Sequence, residues 1–179
     1  MAIPIKDLSA NTLVFNGEPR PFGDIKWISL MRRDDVTLKR IRLLLPKMIV
    51  NNVYTDTIVL ELPADSVVRR RFSEIEAFVA MLATDCDETM NAVMISKIDD
   101  RNNGNSVLRL KHAPGKTIIV DRSLRLQKGA AIECEVDVTG VWVHNNATFG
   151  LTAKVRTIDR ANPVDDNQTT IDSAIFRNL

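Results

Sequence analysis

Ile132-Glu133-Cys134-Glu135-Val136-Asp137-Val138 decides the fold class, because apolar and acidic residues alternate through it without a break. In an extended chain successive side chains point to opposite faces, so Ile132, Cys134, Val136 and Val138 share one side and the three acids the other. The pattern is that of a strand with one face in a core and one in water. It recurs over Thr12–Phe15, Ile25–Met31, Leu38–Leu45, Asp56–Leu62, Ala92–Ile98, Ser106–Lys111, Thr117–Val120, Val141–His144 and Leu151–Ile158. Turn-forming residues punctuate these runs, as at Asn16-Gly17, Pro114-Gly115, Lys128-Gly129 and the polar cluster from Asp99 to Asn105. Many short strands at close spacing predict a mainly β protein, either a barrel or a sandwich.

One segment follows a different period. Phe72, Ile75, Phe78, Val79 and Leu82 recur at helical spacing, and Ser73 with Glu76 matches the S-x-x-E capping box. These residues predict a single helix of about three turns, its apolar stripe packed on the domain. The run Arg69-Arg70-Arg71 just upstream reads either as a solvated face or as a phosphate contact. From Arg160 the chain turns polar and contains Pro163. The expected organisation is one β domain over residues 1–158, with an N-terminal arm, and a polar C-terminal tail over 159–179.

A chain of 179 residues with 45% hydrophobic composition is enough for one full core. Lys and Arg total 24 against 23 Asp and Glu, a net charge of +1, so no whole-molecule field draws it onto a polyanion. Any polyanion site must be a local patch. The segment from Asp159 holds four acids (Asp159, Asp165, Asp166, Asp172) and two bases (Arg160, Arg177), leaving 22 bases and 19 acids elsewhere. The body is therefore slightly basic and the tail mildly acidic. Two cysteines, Cys86 and Cys134, make no disulfide framework and suit a reducing compartment. Met1 to Ala10 lacks a signal-like apolar stretch, and no later run approaches the roughly 20 apolar residues of a membrane helix. A soluble, intracellular protein that is neither secreted nor membrane-bound is the expectation.

The residues that carry chemistry are sparse. His112 and His144 are the two histidines, neither beside a Ser or Cys in a nucleophile motif, and with the cysteines they are too scattered to pair as zinc ligands. The glycine-rich phosphate loops of nucleotide enzymes are absent from the sequence. Acidic pairs at Asp34-Asp35, Asp85-x-Asp87-Glu88 and Asp99-Asp100 fall in turn-like or helix-end contexts, where Asp caps backbone groups. Neither an enzyme nor a cofactor is expected.

Basic residues, by contrast, fall in pairs along strands. Arg40 with Arg42, Arg109 with Lys111 and Lys154 with Arg156 each share a face by period two, and Lys47, Lys97, Arg101, Lys116, Arg122, Arg125 and Lys128 lie around them in the sequence. Trp27, Tyr54, Trp142 and Phe149 stand out among few aromatics, 5% of the chain. Flat rings stack unpaired bases regardless of sequence, though they fill cores more often. Tyr54 and Trp142 suit a half-exposed site best, because each has a polar group on its ring.

Two stretches bear a resemblance to a known family. Arg42-Leu43-Leu44-Leu45-Pro46-Lys47-Met48, the strand through Thr57 to Leu62 and the helix near Phe72 look like the first half of the OB-fold single-stranded DNA-binding proteins of large double-stranded DNA viruses. Leu126-x-x-Gly129-Ala130-x-Ile132-x-Cys134-x-Val136, Val141-Trp142-Val143 and Phe149-Gly150-Leu151-Thr152-Ala153-Lys154 resemble the second half, in an order also found in such proteins of some tailed phages. The resemblance spans roughly Leu38 to Ile158. It departs at Ile49-Val50-Asn51-Asn52, where Pro-Phe-Gly is common, and at Ala153, where a ring is common. It implies an OB-like β-barrel with one packed helix that binds single-stranded DNA without sequence preference in viral replication or recombination. On that reading Arg40, Arg42, Lys47, Arg109, Lys111, Lys154 and Arg156 neutralise phosphates, and Tyr54, Trp142 and Phe149 stack bases. A small homo-oligomer and replication partners reached through the tail are further expectations. The alternatives are a structural virion or capsid-type β-protein and a viral RNA-binding or movement-type protein.

Overall fold

A computed structural model describes residues 1–86, 93–100, 106–113, 115–145 and 147–161. The chain opens with β1 (Ile3–Pro4) and two 3-10 turns at Ile5–Asp7 and Ala10–Thr12. A long hairpin of β2 (Leu13–Phe22) and β3 (Ile25–Asp34) is followed by β4 (Thr37–Lys39), β5 (Ile41–Val53) and β6 (Thr57–Leu62). Helix α1 (Val67–Cys86) leads to β7 (Val93–Ile95), β8 (Ile98–Asp100), β9 (Ser106–Lys111) and β10 (Ile118–Ile119). Two long strands, β11 (Ala131–His144) and β12 (Thr148–Arg160), complete the described chain.

Five strands run back on themselves. β5 pairs with β6, β6 with β9, β9 with β12, β12 with β11, and β11 again with β5, all antiparallel except β9 with β12. The fold is mainly β, an OB-like barrel with one packed helix, as expected. The β2–β3 hairpin extends the sheet outward from β11. Its outer strand carries Pro19 and Pro21, residues suited to an edge because they donate no ladder bond and discourage pairing with another chain.

Alternation explains the core. Leu43, Leu45, Ile58, Leu60, Leu108, Leu110, Ile132, Cys134, Val136, Leu151 and Ala153 point into the barrel and are almost wholly buried. Burial there pushes the Cys134 thiol up to about 12, so it stays protonated and unreactive. Ile5, Leu8 and Leu13 join the same core, so the N-terminus is an integral layer rather than an arm.

The structure corrects three local expectations. The strand expected over Leu38–Leu45 is interrupted at Arg40 and then continues through Pro46 to Val53. Leu45 lies opposite Cys134 and Met48 opposite Ile132, so Pro46 and Lys47 together face Glu133 in a bulge, where a missing N–H does not break the ladder. The strands expected over Ile132–Val138 and Val141–His144 are one, with the register shifting between Val138 and Gly140. The helix is capped by Ser66 rather than Ser73, about two turns earlier. Ser66 Oγ accepts the Val68 N–H at 3.2 Å, and the buried stripe runs Val68, Phe72, Ile75, Val79, Ala83. Ser73 and Glu76 sit within the helix and form no capping box.

Of the arginine run, Arg69 binds Asp100 and Arg71 binds Glu74 and the Lys6 carbonyl, so both tie α1 to its surroundings. The last strand continues through Arg160, past the expected boundary, and Ala161 is buried; the tail from residue 162 lies outside the described residues. Among the described residues no helix is long and apolar enough to cross a membrane.

Candidate nucleic-acid interface

The site grows from the weakest seam of the barrel. β9 and β12 are joined in parallel through one residue pair, Lys111 with Lys154, so the two strands part on either side of it. Lys154 is in turn the partner of Asp137 on β11, and Asp137 the partner of Arg42 on β5. On each strand the buried residues next to this row, Leu43 on β5, Leu110 on β9, Val136 and Val138 on β11 and Ala153 and Val155 on β12, point inward, and alternation leaves the row itself on the outer surface. A charged line thus crosses four strands at one level.

A groove of about 740 Å³ opens over the seam. Lys97, Lys111, Lys116, Lys154 and Arg156 line it together with Trp142 and His112, against two carboxylates, Asp56 and Asp137. Five cations and two acids leave an excess of about three positive charges on a molecule whose total is +1. Trp142 stands directly across from Gly150, and an added Cβ there would meet the indole Cζ2 at 2.8 Å. The indole therefore packs against the backbone of β12 at Gly150, half-buried at the groove wall.

Carboxylates hold several of the cations. Asp137 accepts from Arg42 Nε at 2.9 Å and lies 3.8 Å from Arg156 Nη1, while Asp56 accepts from Lys111 Nζ at 2.7 Å. That ammonium, with the Thr57 hydroxyl, holds the Asp56 carboxyl below the usual carboxylate range. Lys154 has no carboxylate within ion-pair distance among the described residues. The Lys111–Asp56 pair, both groups more than half exposed, exchanges readily and adds little stability, so a phosphate can take the place of that acid.

Lys97 is placed by α1. The buried Glu76 carboxylate accepts the Lys97 N–H and the Ser96 hydroxyl, each at 2.6 Å, and the Lys97 carbonyl accepts Arg109 N–H at 2.9 Å. Burial pushes the Glu76 carboxyl up and pulls the Lys97 ammonium down, the latter aided by the nearby Lys111 charge.

The expected residues divide into three groups. Lys111, Trp142, Lys154 and Arg156 converge on the groove, with Arg42 joined to it through Asp137. Arg40 lines a neighbouring recess, Arg109 is bound to Asp99 one step along β9, and Tyr54 stands exposed on the β5–β6 turn two residues from Asp56. Lys47 sits on the bulge facing Glu133, five residues from Arg42 along β5, or roughly 16 Å of strand, and does not line the groove. Phe149 corrects the stacking expectation: at 4% exposure its ring belongs to the core, sharing the inward parity of Leu151, Ala153 and Val155. Lys97 and Lys116 are groove residues that period-two pairing alone did not select, because they lie outside the paired strand runs.

No family model matches this sequence, and no curated protein matches it. Among solved structures, the crystal structure of gp2.5, a single-stranded DNA binding protein encoded by bacteriophage T7, aligns with 74% of this chain and 95% of that one. The TM-score is 0.44 and the identity 8%, a likeness too slight to carry an argument about this chain.

Proposed function

We propose that the groove over the β9–β12 seam binds single-stranded nucleic acid, DNA in the first instance, without sequence preference, as a protein that covers unpaired strands during replication or recombination does. The observation that carries this reading is the gathering of Lys97, Lys111, Lys116, Lys154 and Arg156 from separate stretches of chain around the half-buried ring of Trp142. Cations tracking a backbone beside a ring that accepts any base are the two components of sequence-tolerant strand binding. The function is binding rather than chemistry. A titration with an oligothymidylate, followed by fluorescence anisotropy at low and high salt, tests it. Binding that weakens with a log–log salt slope of roughly 3 is expected, about 0.7 for each phosphate contact with most of the five cations engaged. Absence of binding at low salt, with a known strand-binding protein active in parallel, overturns it. Competition between matched RNA and DNA strands decides the preferred polymer.

A further inference from the structure

Next to the groove lies a second recess of about 260 Å³, lined by Trp27, Arg40, Asp137 and Thr139 among others. We propose that it is a second base-binding subsite, so that a strand seated on Trp142 continues past Asp137 and stacks another base on Trp27, with Arg40 meeting a phosphate. The proposal rests on the single-stranded DNA reading above and extends its footprint.

Three observations carry it. Trp27 on β3 and Trp142 on β11 are direct cross-strand partners, which puts their Cβ atoms about 5 Å apart on one face of the sheet. Both rings lie over a glycine, Trp142 over its direct partner Gly150 and Trp27 over the diagonal Gly140, which is opposite Ser29. A Cβ on Gly140 would come 2.6 Å from Cε2 and Cζ2 of Trp27, as one on Gly150 would from Trp142 at 2.8 Å. Each indole thus lies against glycine backbone while its residue stays half-buried rather than sealed into the core. Finally, Asp137 lines both spaces, which makes them neighbours along one path.

Charge sets the order of contacts. Arg40 is exposed and has no carboxylate within ion-pair distance among the described residues, so it is open to a phosphate. Asp137 between the recesses is paired with both Arg42 and Arg156, so the cluster carries an excess positive charge and lets the strand's backbone pass from one recess to the other. The groove, richer in cations, fills first, and the Trp27 recess is reached only by a strand long enough to pass it.

The chain has two tryptophans, so each subsite has its own reporter. Protein labelled with 5-fluorotryptophan gives two fluorine resonances, assigned with Trp27→Phe and Trp142→Phe. Oligothymidylates of about 4 and about 16 nucleotides bracket the usual site sizes of OB folds. The short strand is expected to move the Trp142 resonance alone, and the long strand both. Trp27→Ala and Arg40→Glu should each weaken binding of the long strand about tenfold while leaving the short one within about twofold, a stacking or phosphate contact being lost. If a saturating long strand moves the Trp142 resonance and leaves Trp27 unmoved, with Trp27→Ala binding it as the wild type does, the second subsite is wrong and the first stands. If neither resonance moves and neither strand binds, the DNA-binding reading itself fails.

Discussion

Trp142 and Gly150 are paired across β11 and β12 so closely that the glycine's missing side chain is the indole's seat. A methyl there would meet Trp142 Cζ2 at 2.8 Å and the Ile95 carbonyl of β7 at 2.9 Å, so the ring or a strand must shift to admit it. Gly150→Ala should therefore cost about 1–3 kcal/mol of stability through overpacking. It should also lift the ring and weaken strand binding. Urea unfolding combined with an anisotropy titration checks both, and a variant as stable as the wild type would show that the ring is mobile.

The placement of cations separates residues that look alike in the sequence. Lys154 faces the groove with no carboxylate within ion-pair distance among the described residues, while Lys47 stands on a bulge facing Glu133. Lys154→Glu is expected to lower affinity for an oligothymidylate at least tenfold at low salt, and Lys154→Ala to reduce the salt slope by about 0.7. Lys47→Glu should change affinity by about twofold or less. Equal losses for the two charge reversals would mean that the strand runs along β5 instead.

Asp56 occupies Lys111 as a phosphate would. Replacing it by Asn frees the ammonium without removing a buried contact, since both groups are more than half exposed. Asp56→Asn should leave the thermal midpoint unchanged and tighten strand binding several-fold, with a steeper salt dependence. Looser binding would assign Asp56 to orienting Lys111 rather than competing for it. The Asp56 carboxyl lies below its ordinary range, so from neutral pH down to about 5 its charge, and hence this competition, should be constant.

Glu76 supplies a pH dependence of stability. Burial raises its folded-state pKa above the unfolded value, so the folded state holds the proton more tightly. The corresponding stability is fully present below the ordinary glutamate pKa and is lost as pH rises through the raised one. Glu76→Gln lacks that titration, so the wild-type thermal midpoint should fall relative to the variant between about pH 4 and the raised value. Glu76→Ala leaves the Lys97 N–H and the Ser96 hydroxyl without their acceptor and should cost about 1–3 kcal/mol at any pH. A wild-type–Gln difference that stays flat with pH would show that the carboxyl titrates as if in water.

Much of the fold was legible because it depends on local alternation. The inward faces of β11 and β12 follow from counting by twos, and Phe149 could have been assigned inward by the same count from Leu151, Ala153 and Val155. The helix was legible from its stripe, but not its start: the S-x-x-E match puts the cap at Ser73, and the structure puts it at Ser66 because the buried face begins at Val68. Pro46 looked like a strand end and is a bulge, since what makes it tolerable is Glu133 on the partner strand. Glu76 matched a capping pattern and instead holds Ser96 and Lys97, residues about twenty positions away. The signal for Trp27 lay in Gly140, whose lack of a side chain has meaning only once β3 and β11 are aligned.

Taken alone, the order of residues determined that the chain forms strands with one apolar face, that one amphipathic helix packs against them, and that cations come in outward-facing pairs. These follow from the geometry of the extended chain and the helix, which each segment carries within itself. Only the tertiary structure decided that Lys111, Lys154, Arg156, Lys97 and Lys116 meet around Trp142 while Lys47 does not. That choice depends on which strands are neighbours and in what register, and those are set by burying all the apolar faces at once in a single barrel, not by any one stretch of sequence.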